Sequence, residues 1–339
     1  MEERDALTRL EVALGGSEQV LVLPHNDPDP DALASGAALQ HLLENAFGVS
    51  TKIRYNGIIG RAENRALVDY LDRNIETLHD TPAAMPVILV DTQPGAGNNR
   101  LPDSGAVVAV IDHHPLRTQT AGVPFVDVRP DVGACSTILT RYLQAANITP
   151  SGQLATALFY GIKSDTMALG RNVAEADVDA YVWLQPLIDP DALMEIEQAQ
   201  VPPAYFRSIN AALEAARVYH DVLIADVGAM AYPDLVAELA DWLLRLQGVD
   251  WVICMGVYRN SLRVAVRTRS HNGGAGQIAQ AIVAGDGIAG GHGTMAGGQI
   301  ALDGLSATTV SARLRRRILD YFRIAPGVGR RLMTLPERE

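Results

Sequence analysis

Three short apolar runs in the first third of the chain each end in ionisable residues, and this pattern constrains the fold more than any other feature. Val20-Leu21-Val22-Leu23 leads into His25-Asn26-Asp27-Pro28-Asp29-Pro30-Asp31. Pro86-Val87-Ile88-Leu89-Val90 ends at Asp91-Thr92, and Ala106 to Ile111 ends at Asp112-His113-His114. Four consecutive apolar residues bounded by turn formers suit a strand of a parallel sheet covered on both faces. In such sheets ligands bind beyond the carboxyl ends of the strands, so the three clusters are predicted to share one crevice.

The rest of the chain fits an α/β order. Residues 5–15 read as an amphipathic helix and 19–24 as the first strand. Asp31 reads as the cap of a helix over Ala32–Phe47, closed by Gly48. Further strands are predicted at 52–55 and 124–128, with helices at about 133–146 and 151–162, the second running into Asp165. Residues 175–204 read as helical and then turn-rich. Val201-Pro202-Pro203 is the best linker, which gives domains at 1–190 and 206–330 with a connecting stretch at 191–205. In the second domain Tyr219–Val227 reads as a strand and Leu235–Leu246 as an amphipathic helix. Residues 251–257 and 261–267 read as a hairpin around Arg259-Asn260. A helix near 277–284 precedes the glycine-rich run from Gly290 to Gly298. The expected fold is an N-terminal, mainly parallel sheet flanked by helices, followed by a smaller C-terminal α/β domain.

Composition sets the outer bounds. A chain of 339 residues, 48% hydrophobic and 20% charged, is long and apolar enough for two globular cores. No apolar run approaches the roughly 20 residues of a membrane span. The acidic start Met1-Glu2-Glu3-Arg4-Asp5 lacks the basic and then apolar pattern of a signal peptide. Cys135 and Cys254 lie far apart in apolar surroundings and read as buried small residues rather than a disulfide framework. A cytoplasmic location is the expectation. The net charge of -11 argues against a stable grip on duplex DNA, which relies on many contacts to phosphate. That charge is uneven. Between Arg259 and Arg331 lie eleven arginines, against Asp286, Asp303 and Asp320 as the acids. An acidic first part and a basic last part suit a metal site and an anionic ligand respectively. Arg313, Arg315, Arg316 and Arg317 also fit the solvated face of a terminal helix.

The chemistry of the clusters follows from donor type. Hard carboxylate oxygens at Asp29 and Asp31 beside the His25 imidazole suit Mn²⁺ or Mg²⁺ better than structural zinc, which favours thiolates. Taken alone, the same segment also reads as a polar turn and helix cap. Asp91 fits a helix cap less well, because Pro94-Gly95 follows it. Two adjacent histidines at a strand end cannot both face the core, so one of His113 and His114 is expected in the crevice. Near the other end, Arg269 and His292 accompany glycines that let backbone N–H groups approach an anion without Cβ obstruction.

With these residues in view, the sequence resembles a DHH-family phosphoesterase. More narrowly it resembles the NrnA-like branch, related to RecJ exonucleases, that degrades very short oligoribonucleotides. The resemblance covers nearly the whole chain. Its first motif falls on His25, Asp29 and Asp31, its second on Asp91, its third on Asp112-His113-His114 and its fourth on Asp165. The C-terminal part is similar to the DHH-associated domain through Arg269-Ser270 and Gly290-Gly291-His292, with Ala296-Gly297 trailing. Two points depart from the family pattern: Pro30 stands where glycine is frequent, and Ala289 shortens the glycine run before Gly290.

The resemblance implies an active site in a cleft between the domains, with two divalent ions, Mn²⁺ or Mg²⁺. His25, Asp29 and Asp91 would hold one ion, and Asp31, Asp91, His113 and Asp165 the other. His114 would face the substrate phosphate, and Asp112 would orient a ligand from behind it. Arg269, Ser270, Gly290, Gly291 and His292 would hold the terminal phosphate or nucleotide. The implied substrates are short single-stranded oligonucleotides (nanoRNA, pApA) and 3′-phosphoadenosine 5′-phosphate. Water activated between ions about 4 Å apart would hydrolyse them. The rivals are inorganic pyrophosphate or polyphosphate, cyclic dinucleotides, and a non-catalytic nucleotide-binding module. Monomer and homodimer both remain open.

Overall fold

The apolar runs that open the chain become the centre of a sheet. The computed structural model describes residues 2–78, 85–101, 106–270, 272–327 and 329–335, and divides into two units, Met1–Ala199 and Gln200–Glu339. The first unit begins with α1 (Glu2–Leu14), β1 (Gln19–Pro24), α2 (Pro30–Ala46), β2 (Ser50–Tyr55), α3 (Ala62–Leu71) and β3 (Ile75–Thr77). It continues with β4 (Val87–Val90), β5 (Val107–Asp112), β6 (Phe125–Val128), α4 (Cys135–Ala145), α5 (Gly152–Asp165), α6 (Glu175–Leu184) and α7 (Pro190–Glu197).

The six strands pair in parallel in the order β3-β2-β1-β4-β5-β6. The chain therefore builds outward from β1 in one direction and from β4 in the other. The point where strand order reverses lies between them, which is where such sheets bind ligands. Alternate residues of these strands feed opposite faces. Val20, Val22, Ile88 and Val90 join the large core beneath the helices, while Leu21, Leu23, Val87 and Leu89 join a smaller one. Between sheet and outer helices runs α2, with 12 of its 17 residues buried and with α4 and α5 against it. Its contact with α5 depends on Gly161, where a Cβ would come within 2.4 Å of Ser136 Oγ and 3.2 Å of Asp31 Cα.

Two local expectations are corrected here. Asp29, not Asp31, caps α2: its side chain accepts from Ala32 N at 3.0 Å, and Pro30 takes the first helical position, where a missing N–H leaves nothing unpaired. Asp31 is thereby turned into the interior. The stretch 191–205, expected as a linker, is largely helical, because α7 runs through its first half and α8 (Pro203–Ala215) opens at Pro203. Proline punctuates a chain, but it also starts helices.

The second unit continues from α8 with β7 (Arg217–Tyr219), β8 (Val222–Ala229), α9 (Leu235–Leu243), β9 (Trp251–Tyr258) and β10 (Ser261–Thr268). It ends with α10 (Ala275–Val283), β11 (Ile288–His292), β12 (Met295–Ala301), α11 (Ala307–Tyr321) and β13 (Arg330–Arg331). Its mixed sheet runs β11-β12-β10-β9-β8-β7-β13, with β8 and β9 parallel and the other pairs antiparallel. One core gathers α10 and α11 over one face, and a second gathers α8 and α9 over the other. The strand expected at 219–227 is broken by a turn at His220, which has φ +58°. No helix among the described residues is long and apolar enough to cross a membrane.

Candidate metal centre

One short turn delivers three donors. β1 stops at Pro24, His25 follows, and α2 begins with Asp29 as its cap and Asp31 in its first turn. His25 Nε2 lies 3.6 Å from Asp29 Oδ2 and 3.5 Å from Asp91 Oδ2. Asp91 follows β4 directly and turns the chain with φ +56°, in the left-handed region that Asp tolerates better than most residues. Beyond β5, His113 Nε2 lies 3.4 Å from Asp91 Oδ1, 3.5 Å from Asp165 Oδ2 and 4.0 Å from Asp31 Oδ2. Asp165 is the last residue of α5. Two donor groups result, His25-Asp29-Asp91 and Asp31-His113-Asp165, and in each the ligand atoms lie within 4.8 Å of one another. Asp91 with His113 and His114 makes a third such group. All six residues expected as metal ligands are thus brought together, within the first unit.

The electrostatics are those of crowded, dehydrated charge. Burial pushes Asp91 and Asp165 well above the usual carboxylate range, and the Asp29 and Asp31 carboxylates push in the same direction. Burial opposes the charge on His25, yet the Asp29 and Asp91 carboxylates outweigh it and raise His25 well above an ordinary histidine. Burial acts against ionised Asp29 too, but His25 and the Ala32 amide hold it far below the usual range.

Two atoms test whether a cation fits. Asp91 Oδ1 and His113 Nε2 are buried, face each other and make no hydrogen bond. Leaving a buried polar atom unpaired costs about 1–3 kcal/mol, and a bound cation would coordinate both. Four carboxylates, two imidazoles and no thiolate form a donor set suited to Mn²⁺ or Mg²⁺. The residues fit divalent ions.

The residues expected to bind substrate lie in the second unit. Arg269 follows β10, exposed, and its Nε donates to Leu244 O at 2.9 Å, at the end of α9. The Ser270 amide donates to Thr268 Oγ1. The glycine run is a hairpin rather than an open loop: Gly290 pairs with Gly297 and Gly291 with Ala296. Glycine is demanded at 291, where φ is +142° and a Cβ would come within 2.4 Å of Ala296 Cα. At 290 a Cβ would meet open space. The side chain of His292 is outside the described residues. Arg267, one of the arginines on β10, is buried and bound to Asp241 of α9 at 2.6 Å, which removes it from any surface role.

Residues 19–162 match the family described as the DHH family, N-terminal domain. Those residues form a DHH-family domain. An uncharacterized protein of Methanocaldococcus jannaschii is 34% identical over 309 residues, 90% of this chain and 62% of that protein. The cyclic-di-AMP phosphodiesterase PdeA of Listeria monocytogenes is 25% identical over 255 residues, 69% of this chain and 38% of that protein. A probable manganese-dependent inorganic pyrophosphatase of Streptococcus pyogenes is 30% identical over 161 residues, 44% of this chain and 49% of that protein. The chain spans about half the length of these curated relatives. The fold is shared with an exopolyphosphatase-related protein from Bacteroides fragilis, at a TM-score of 0.70 and 14% identity over 95% of this chain and 96% of that one.

The motif that names the DHH family is held from behind by a residue that sequence reading missed. Asp112, the last residue of β5, accepts from the His113 amide at 2.8 Å and from His114 Nδ1 at 2.9 Å. Its other oxygen accepts from Gln93 Nε2 at 2.7 Å. Gln93 is almost fully buried, and its own oxygen accepts from the Arg117 amide and from Thr120 Oγ1, both at 2.9 Å. One amide side chain thus locks the DHH motif to the turn that follows it. The sequence around Gln93 carries no signal of this role, because its partners lie 19 to 27 positions further on.

Proposed function

We propose that the chain is a metal-dependent phosphodiesterase acting on short oligoribonucleotides (nanoRNA and pApA) and on 3′-phosphoadenosine 5′-phosphate, with Mn²⁺ or Mg²⁺ as its ions. The observation that carries this reading is the buried couple Asp91 Oδ1 and His113 Nε2, neither with a hydrogen bond, set between two three-donor groups. His25, Asp29 and Asp91 would hold one ion, and Asp31, Asp91, His113 and Asp165 the other.

Ions bound there would lower the pKa of water and stabilise charge on phosphoryl oxygens. The chain's own residues do the remaining work. Asp112 orients the His114 ring through Nδ1. His114, with a side chain 41% exposed, is the most open of the site's histidines and would donate to a phosphoryl oxygen of the substrate. In the second unit, Arg269, Ser270, Gly290, Gly291 and His292 would hold the terminal phosphate or nucleotide.

Nucleotide substrates are favoured by how far the similarities run. The match to the cyclic-di-AMP phosphodiesterase spans 255 residues, more than the first unit contains, so it reaches into the second unit. The pyrophosphatase match, at 161 residues, is shorter than the first unit. Pyrophosphate hydrolysis is the second reading, and that match is what supports it.

The test is a hydrolysis panel in Mn²⁺ with products separated by chromatography. It contains a 5′-phosphorylated RNA dimer and pentamer, 3′-phosphoadenosine 5′-phosphate, cyclic di-AMP and pyrophosphate. Mononucleotides from the dimer, with pyrophosphate intact, are the expected result. Phosphate released from pyrophosphate alone would overturn the substrate assignment and leave the metal centre standing.

A further inference from the structure

Helix α4 begins without a cap of its own. Its cap position is Ala134, which has no side chain able to accept a hydrogen bond. The first amides of a helix need acceptors, and here the acceptors are two buried carboxylates from elsewhere in the chain. Asp31 takes the Cys135 amide on Oδ2 at 2.6 Å and the Ser136 amide on Oδ1 at 2.7 Å. Asp177, the third residue of α6, grips the same turn from the other side. Its Oδ2 accepts from Gly133 N and from Ala174 N, each at 2.8 Å, and its Oδ1 accepts from Thr137 Oγ1 at 2.6 Å. Both carboxylates are wholly buried.

We infer that Asp177 is a positioning residue for Asp31, acting through the first turn of α4. The inference rests on the reading of Asp31 as a metal ligand. Asp177 holds residue 133 on one side of the turn and residue 137 on the other, and between them lie the two amides that hold Asp31. With both of its oxygens bound to one rigid turn, Asp31 can direct its remaining lone pairs only where that turn points them, towards His113 Nε2 at 4.0 Å. The turn has little room to shift by itself. A Cβ at Gly133 would come within 2.5 Å of Thr166 Cγ2, next to Asp165, and 3.1 Å of Asp177 Oδ2. Outer residues of this kind orient metal ligands, and losing one typically weakens metal binding about 10–100-fold.

The experiment measures Mn²⁺ binding to metal-free protein by calorimetry, together with hydrogen exchange at the Cys135 and Ser136 amides, at a temperature where circular dichroism shows each variant folded. Asp177→Ala is expected to weaken Mn²⁺ binding about 10–100-fold and to speed exchange at both amides. Asp177→Asn keeps an oxygen for Gly133 and Ala174 and is expected to restore most of the affinity. Ile53→Val, in β2 and remote from this turn, is expected to lower Tm and leave the affinity as it was. If Asp177→Ala does not fold, Thr137→Val, which removes a single bond to Asp177, gives the same readout with a smaller expected loss. Wild-type affinity and exchange in the folded Asp177 or Thr137 variant would overturn the inference and leave Asp177 as part of the framework only. A wild-type protein that takes up no Mn²⁺ would instead overturn the metal centre from which the inference starts.

Discussion

Gln93 donates to Asp112 at 2.7 Å and so ties the segment that leaves β4 to the last residue of the neighbouring β5. That bond joins the strand ends carrying Asp91 and His113. Replacing Gln93 with Leu would leave an oxygen of Asp112 and the Arg117 amide without their present partners, at about 1–3 kcal/mol for each buried group. The expected outcome is a lower Tm and a kcat reduced about 10-fold or more, with metal content unchanged. Normal turnover in Gln93→Leu would show that His114 needs no such support.

The ligand assignment makes a sharper prediction. Asp165→Asn and His113→Ala are expected to reduce turnover at least about 100-fold while circular dichroism reports an intact fold. Removing the ions with a chelator should do the same, reversibly. Activity retained in either variant at full metal content would refute the two-group centre.

Stability should depend on pH differently with and without metal. In the metal-free protein, burial and neighbouring carboxylates raise Asp91 and Asp165, while Asp29 and Asp91 raise His25 against the effect of burial. Each group then holds its proton more tightly folded than unfolded, and a folded state that binds more protons loses stability as pH rises. For the two carboxylates this loss begins above the ordinary value near 3.8. For His25 the stabilising charge is fully present below 6.5 and disappears as pH passes its raised value. Metal-free Tm is therefore expected to fall from about pH 5 to about pH 8. Metal uptake displaces these protons, so the gain in Tm from saturating Mn²⁺ should grow over the same range. Differential scanning fluorimetry decides the matter, and equal pH slopes with and without Mn²⁺ would refute it.

In the second unit, Arg269→Ala is expected to raise KM about 10-fold for substrates with a terminal phosphate, a loss of about 1.4 kcal/mol, with little change in kcat. Steady-state kinetics on the phosphorylated and dephosphorylated dimer provide the comparison. A KM unchanged for both would remove Arg269 from the substrate site.

The parallel sheet was legible because its strands are short apolar runs buried on both faces, and the cluster of acids and histidines because each run stops at one of them. The roles of Asp29 and Asp31 were harder to separate. Both stand near a helix start, and which one caps α2 depends on Pro30 taking the first helical position. The glycines of β11 and β12 read as a loop, since residues without a Cβ leave no alternating pattern to reveal a strand. Gln93 and Asp177 were out of reach for another reason. Their importance lies in partners 19 to 44 positions away along the chain, and nothing in the local sequence indicates which amides they meet.

All six metal-ligand candidates come from residues 25 to 165, and every one is carried by the unit whose strand order reverses between β1 and β4. On the proposed reading, reaction chemistry and substrate choice would be written in separate stretches of the gene. Selection could then alter the hairpin or the arginines of the second unit while the proposed ligands, all in the first, keep their residues. A scaffold divided in this way can give rise to enzymes for different phosphorylated molecules while its hydrolytic centre is inherited unchanged.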